Sequence, residues 1–300
     1  MDWGFVIVNA ITLACIYGTL AIGLSITWSS VGLINMAYGF IFAFSGYVAW
    51  VVAQYLPPDL AIPPGFILLP AAVLAGALGG LLVCLLAFIP VHDKPNYTLR
   101  GMIAALAISL VGPQLLMWWF GARVKNIPPI FGNWKVEIPG LAVTMTAEKF
   151  GAVATSIGML CVVLWWMRSS RRGLEIRAMM MNPAAAAIVG IGVRKTGLSV
   201  MALTGGLAGL AGALLAQTYY ISPFGGVTPM VKGLSIALLG GLGSISGAVI
   251  GAIILGFNEA LTSRLLGGQY VLMTQFGLII IILLFRPRGI AGILDKAREA

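Results

Sequence analysis

The sequence predicts an all-α polytopic membrane protein. Hydrophobic residues make up 60% of the chain and charged residues only 9%, whereas a soluble domain is about half apolar and about a quarter charged. The apolar residues fall in continuous runs of about 20, the length at which a helix crosses hydrocarbon. In lipid the backbone must satisfy its own hydrogen bonds, which leaves helices or closed barrels. Unbroken apolar runs lack the alternation of a barrel strand. A chain of 300 residues therefore has room for about eight to ten transmembrane helices. The best count is nine, one of them short or broken, with the N-terminus outside and the C-terminus cytoplasmic. The whole chain, 1–300, reads as one transmembrane domain with a cytoplasmic loop, 168–196, set within it.

The elements follow in order. Residues 5–28 form the first span. It lacks the basic n-region and small-residue cleavage site of a signal peptide, so it is expected to stay in place. Residues 29–34 break the pattern, and 35–54 form the second span. Pro57, Pro58, Pro63 and Pro64 mark a stiff external loop. Spans follow at 66–89 and 101–121, the latter with Pro113 expected to kink it. After the long loop 122–148 comes a fifth span at 149–167. Beyond the central loop lie 197–217, the short apolar segment 226–243, then 244–262 and 269–285.

Charge sets the orientation. The net charge of +9 would suit nucleic acid, but the charges cluster beside spans, which is the pattern of the positive-inside rule. No nucleic-acid partner is expected. Assigning 91–100, 168–195 and the tail from Arg286 to the cytoplasm places twelve of the eighteen Lys and Arg residues there. Six remain for the other side: Arg123, Lys125, Lys135, Lys149, Lys232 and Arg264. This assignment needs an odd number of crossings, so 226–243 must cross or meet the next span in mid-membrane.

Several chemistries are excluded. Cys15, Cys84 and Cys161 fall inside apolar spans and read as small core residues. His92 is the one histidine and lies in a loop, so neither a histidine metal site nor a Ser/His/Asp set has material. Gly190-Ile-Gly-Val-Arg-Lys-Thr196 approaches a phosphate-binding loop but has Arg194 where glycine must precede the lysine. No catalytic residue and no metal ligand are assigned, and the chain is not expected to bind ATP or another cofactor itself.

Glycine is placed rather than scattered. Gly205 and Gly209 are four apart in the sixth span, and Gly243, Gly247 and Gly251 repeat at four in the eighth. This spacing lines small residues on one helix face and predicts close helix packing. Two stretches read as broken helices, 27–39 around Asn35 and 219–233 with two prolines and three glycines. They occupy comparable places in the two halves, and transporters build pathways at such interruptions. Polar residues within spans are few: Asn9, Asn35, Gln114, Asn258 and Glu259. Glu259 is expected to pair with Arg264 or Lys232, and this scarcity tells against a secondary transporter.

The central loop carries a second signal. Gly173 opens it after three arginines, and residues 174–181 favour helix, with Glu175 and Arg177 exposed. Asn182 suits an N-cap, Pro183 the first helical position and Gly190 the residue past the end. This predicts a short cytoplasmic helix over 183–189 with a small apolar face suited to a partner's groove or to a lipid surface.

The run RRGLEIRAMMMNPAAAAIVGIGVRKT resembles the coupling loop of the branched-chain amino acid type of ABC transporter permeases, the Liv family. GLINMAYGFIFAFSGYVAW resembles that family's second-helix motif, with Gly32, Ile34, Asn35, Ala37, Gly39, Gly46 and Tyr47 in register. VKGLSIALLGGLGSISGAVIGAIILGFNEA followed by LLFRPRGIAG resembles its C-terminal signature, including Gly240, Gly241, Gly243, Ser244, Gly247, Ala248, Gly251, Arg286, Pro287 and Gly289. The resemblance implies a permease domain in a bacterial-type cytoplasmic (inner) membrane. It also implies a second homologous permease subunit, two cytoplasmic ATPase subunits that hold ATP and Mg, and an extracytoplasmic substrate-binding protein. Gly173, Leu174, Glu175, Arg177, Asn182, Pro183, Ala186 and Gly190 become the ATPase-coupling candidates, and Asn35, Tyr38, Gly39 and Phe40 the pathway candidates. Members often carry His-Gly-Glu where this chain has Tyr38-Gly39-Phe40, which opens the substrate to an amide, urea or a small carboxylate beside a branched-chain amino acid. The alternative is a passive channel for a small neutral solute.

Overall fold

The computed structural model describes residues 3–57, 64–132, 134–138 and 143–291. Five apolar helices precede the central loop: α1 (Trp3–Val31), α2 (Tyr38–Tyr55), α3 (Gly65–Val83), α4 (Tyr97–Phe120) and α5 (Ala147–Ser169). The loop folds as α6 (Arg171–Met181) and α7 (Pro183–Ile188). Four more apolar helices follow: α8 (Val193–Thr218), α9 (Val227–Gly240), α10 (Ile245–Leu265) and α11 (Val271–Phe285). Seven of the nine apolar helices among the described residues are long and apolar enough to cross a membrane. The other two are α2, with 18 residues, and α9, with 14.

Some boundaries differ from the expectation. α1 runs on to Val31 because Thr27, Ser29 and Ser30 bond their hydroxyls to carbonyls one turn back, which lets a polar stretch stay helical. α2 starts three residues later than expected, at Tyr38. α3 passes into a wider π-type turn at Cys84–Phe88 and a short 3₁₀ turn at Ile89–Val91. α4 is continuous through Pro113. The long loop 122–148 is not purely irregular: β1 (Lys135–Ile138) and β2 (Val143–Thr146) pair antiparallel, with Lys135 opposite Thr146. Of the proline-rich loop, Pro58 and Pro63 lie outside the described residues, as does the tail beyond Ala291.

Small residues hold the centre together. A Cβ on Gly76 of α3 would lie 2.2 Å from the Gly205 carbonyl oxygen of α8, and one on Gly209 the same distance from that of Ala72. The two backbones therefore touch along this seam, which gains dispersion contact where lipid supplies no hydrophobic drive between helices. α1 meets α10 in the same way, Gly256 resting against Ala10 and Ala14. In α10, Gly247 packs on Gly240 of α9 and Gly251 on Ile236. Gly243 is a correction to the expected ridge: it sits in the turn before α10 with φ +94° and touches Ser29. Its place is set by backbone conformation, since a positive φ favours glycine. α4, α5 and α11 lie at the periphery and turn exposed apolar residues such as Leu110, Trp118, Trp165, Ile280 and Leu284 outward, as lipid contact requires.

The basic stretches 91–100 and 168–195 and the described part of the tail, 286–291, gather at one end of the bundle. Arg194 is ion-paired with Asp93, joining the central loop to the 91–96 turn. The Tyr97 hydroxyl donates to the Val31 carbonyl at the end of α1. Gly289 lies against Gly241, and the Ile290 and Ala291 amides donate to the Leu239 and Gly240 carbonyls. At the opposite end, Lys149 lies over the ring of Phe5, and Lys125 exchanges backbone hydrogen bonds with Ile221. The stretch from Ile221 to Gly243 thus runs from one end of the bundle to the other.

Candidate functional site: a capped loop helix and two joined helix breaks

The central loop is built by local chemistry. Ser170 caps α6, its Oγ accepting from the Gly173 amide at 2.9 Å. A Cβ on Gly173 would lie 2.4 Å from the Met167 Cα, so glycine lets α6 fold back tightly on α5. Ile176 and Met179 are fully buried and bind α6 into the bundle, where it packs on α1, α5 and α8. The Asn182 Oδ1 accepts from the Ala184 and Ala185 amides at 3.0 and 3.1 Å, capping α7, and Pro183 takes the first helical position. At the other end Gly190 has φ +89°; its amide donates to the Ala187 carbonyl and that of Ile191 to Ala186. This pair of bonds is the Schellman closure, so a helix of six residues is closed at both ends.

The expected coupling residues divide by what they touch. Glu175 faces Arg172 at 3.7 Å and Thr196 at 3.5 Å, and the Arg177 guanidinium donates to the Arg168 carbonyl at 3.4 Å. These contacts stitch the loop to itself. Ala186 is buried against the loop, whereas Leu174 is exposed. The residues that project are Met181, Ile188 and Val189, exposed at 80%, 86% and 76%. Composition singled out 183–189 as apolar, but only the helix phase shows that Ile188 and its neighbour Val189 form the outward tip.

The two breaks meet in space. A Cβ on Gly39, at the start of α2, would lie 2.7 Å from the Gly226 carbonyl oxygen at the start of α9. Asn35 spends its side chain on the turn between α1 and α2: Oδ1 accepts from the Ala37 amide at 3.0 Å and Nδ2 points to the Met201 sulfur. Tyr38 donates to the Thr204 carbonyl at 2.7 Å and fills the notch left by Gly23. Phe40 turns the other way, its ring covering Gly112 of α4. Asn35 and Tyr38 are 1% and 0% exposed, so both are sealed in packing here. Beside the junction lies a small cleft whose walls include Gly46, Gly212, Tyr220 and Ser222. Irregular backbone there is tolerated because protein surrounds it.

A third polar feature lies nearby. Lys232 of α9 and Glu259 of α10 form a buried ion pair at 2.6 Å, and the Lys232 ammonium also donates to the Tyr17 hydroxyl at 3.2 Å. Counting Lys232 among the charges of the outer loops therefore needs correction. It sits inside the bundle because Glu259 cancels its charge, as a buried lysine requires. Among the described residues no cluster of His, Cys, Asp and Glu could hold a metal ion.

The model of the family described as "Branched-chain amino acid transport system / permease component" matches residues 6–283. The chain is 31% identical over 294 residues to the high-affinity branched-chain amino acid transport system permease protein LivH of Escherichia coli (strain K12), covering 95% of this chain and 94% of that protein. It is 28% identical over 302 residues to the corresponding permease protein BraD of Pseudomonas aeruginosa, covering 95% and 94%. Among solved structures, PsaBC from Streptococcus pneumoniae in complex with Fab aligns with a TM-score of 0.52 at 12% identity, covering 97% of this chain and 94% of that one; this likeness is one of fold.

Proposed function

The chain belongs to the family of branched-chain amino acid transport system permease components, and from that premise we propose that it is the membrane subunit of an ATP-driven importer for an amino acid or similar small polar solute. The free-standing passive channel is set aside, since the family it belongs to is a component of a transport system. In this reading all nine apolar helices cross the membrane, with the N-terminus outside and the basic end in the cytoplasm. A second homologous permease subunit completes the pathway. Two cytoplasmic ATPases hold ATP and Mg, and an extracytoplasmic binding protein delivers the substrate.

The observation that carries the coupling role is α7. A helix of six residues is closed at both ends and presents an apolar tip, Ile188 and Val189, at the basic end of the bundle. A short helix in water is marginal by itself, so its caps keep it formed for a groove to receive. A push on α7 passes to α6 and, through buried Ile176 and Met179, to α1, α5 and α8. Closure of the ATPase pair on ATP thereby rocks the bundle between inward- and outward-facing states. In this reading the joined breaks, where Gly39 lies against Gly226, belong to the pathway.

The test is co-expression with the ATPase subunits. Ile188→Asp with Val189→Asp is expected to abolish co-purification of the ATPases and to reduce ATP-driven uptake in vesicles at least tenfold, the effect of desolvating a charge at an interface by about 1.4 kcal/mol or more. Asn182→Ala, which removes the cap at a cost of about 1 kcal/mol, is expected to weaken both partially. Intact assembly and uptake in the double variant would overturn the coupling role.

A further inference from the structure

We propose that the cleft between the start of α1 and the end of α10 binds the headgroup of an anionic phospholipid. The cleft encloses about 160 Å³ and is lined by Phe5, Val6 and Asn9 of α1 and by Ala260, Ser263 and Arg264 of α10. Among the described residues its polar lining holds no carboxylate: it is an amide, a hydroxyl and a guanidinium, the groups that bind the oxygens of a phosphate. Arg264 has no ion-pair partner among the described residues, whose ion pairs all lie elsewhere. A second cation stands at the rim, where the Lys149 ammonium lies 4.4 Å from the ring centroid of Phe5, the wall it shares with the cleft. Glu148 is within Coulombic reach of Lys149 and offsets part of its field, which leaves Arg264 as the main charge.

An arginine in a helix's last turn also complements the helix dipole, but that does not account for the lined cavity. The surroundings favour lipid over a soluble anion. Phe257, Leu261 and Leu265 are spaced by four along α10 and are all exposed. They form an apolar stripe running from the level of the cleft toward the middle of the bundle. The cleft itself lies at the end of two membrane-length helices, the depth at which headgroups sit. A phosphate on Arg264, Ser263 and Asn9 would leave its acyl chains on that stripe.

The experiment is native mass spectrometry of the purified full chain, released from nanodiscs of equal phosphatidylglycerol and phosphatidylcholine with matched acyl chains. The wild-type chain is expected to retain phosphatidylglycerol preferentially. Arg264→Gln is expected to lower that retention roughly tenfold, the size of one lost charge-assisted contact. Arg123→Gln, an exposed cation elsewhere at the same end, is expected to leave it unchanged. If Arg264→Gln does not fold, Asn9→Ala with Ser263→Ala takes its place, with the same direction of change. Equal retention of the two lipids by the wild-type chain overturns the proposal. So does an Arg264→Gln chain that behaves like Arg123→Gln, or displacement of the lipid by millimolar inorganic phosphate, which would identify a site for a soluble anion.

Discussion

Lys232 and Glu259 meet at 2.6 Å inside the bundle, whereas the other charges among the described residues lie toward its ends. Two charges withdrawn from water lose their hydration, and their mutual attraction repays it only while both are present. Tyr17 adds one more polar contact, its hydroxyl within 3.2 Å of the ammonium. Lys232→Met should therefore lower the stability of the purified chain by about 3–5 kcal/mol, because it strands Glu259 in a low-dielectric site. Glu259→Leu should do the same to Lys232. The double variant Lys232→Met/Glu259→Leu should recover most of the loss, since an apolar pair of similar volume is often as stable as the ions it replaces. Thermal unfolding in detergent reads this directly, and losses that simply add in the double variant would show that the two residues act independently. The sequence narrowed Glu259's partner to two candidates. The structure separates them by direction, Lys232 turning inward from α9 while Arg264 lines the cleft at the end of α10.

At the scale of elements, what could be read in advance was local. Asn182, Pro183 and Gly190 define α7 within nine residues, and each acts on backbone groups at most four positions away. Pairing between helices is not local. The four-residue spacing of Gly205 and Gly209 marks one side of a seam, and Gly76 and Gly80 carry the same spacing in α3, yet nothing in either stretch says that they face each other. The β1–β2 hairpin escaped for a related reason: strands of four residues give too few alternations to stand out from a loop. The seam makes a sharp prediction. A Cβ on Gly80 would lie 2.1 Å from the Met201 carbonyl oxygen, whereas one on Gly158 of α5 meets nothing within 4 Å. Gly80→Val should thus force α3 from α8 and lower the yield of folded protein severalfold, read as the monodisperse peak in detergent. Gly158→Ala should be neutral or stabilising by up to about 1 kcal/mol, the helix propensity gained over glycine. Equal behaviour of the two would mean that the seam is not under packing pressure.

Across the whole molecule, the same distinction separates the two helix breaks from the placement of the basic loops. Asn35 was legible as a break because a lone amide between apolar runs must find partners, and it does so in the turn it creates. That Gly39 would meet Gly226 depends on how two distant segments pack, which no spacing encodes. Topology is cumulative instead, since every basic loop contributes to it. The stretches at 91–100, 168–195 and from Arg286 are separated by 67 and 90 residues of sequence, yet the ion pair of Arg194 with Asp93 and the contact of Gly289 with Gly241 hold them at one end. If that end is cytoplasmic, Ile188 is hidden from the medium and Arg123 faces it. A chain with Cys15, Cys84 and Cys161 replaced, carrying either Arg123→Cys or Ile188→Cys, decides the point with a membrane-impermeant maleimide. Arg123→Cys should label in intact cells, and Ile188→Cys only after the membrane is opened. The reverse pattern would invert the molecule, and it would remove the coupling role as well, because α7 would then face the side where no ATP-hydrolysing partner works.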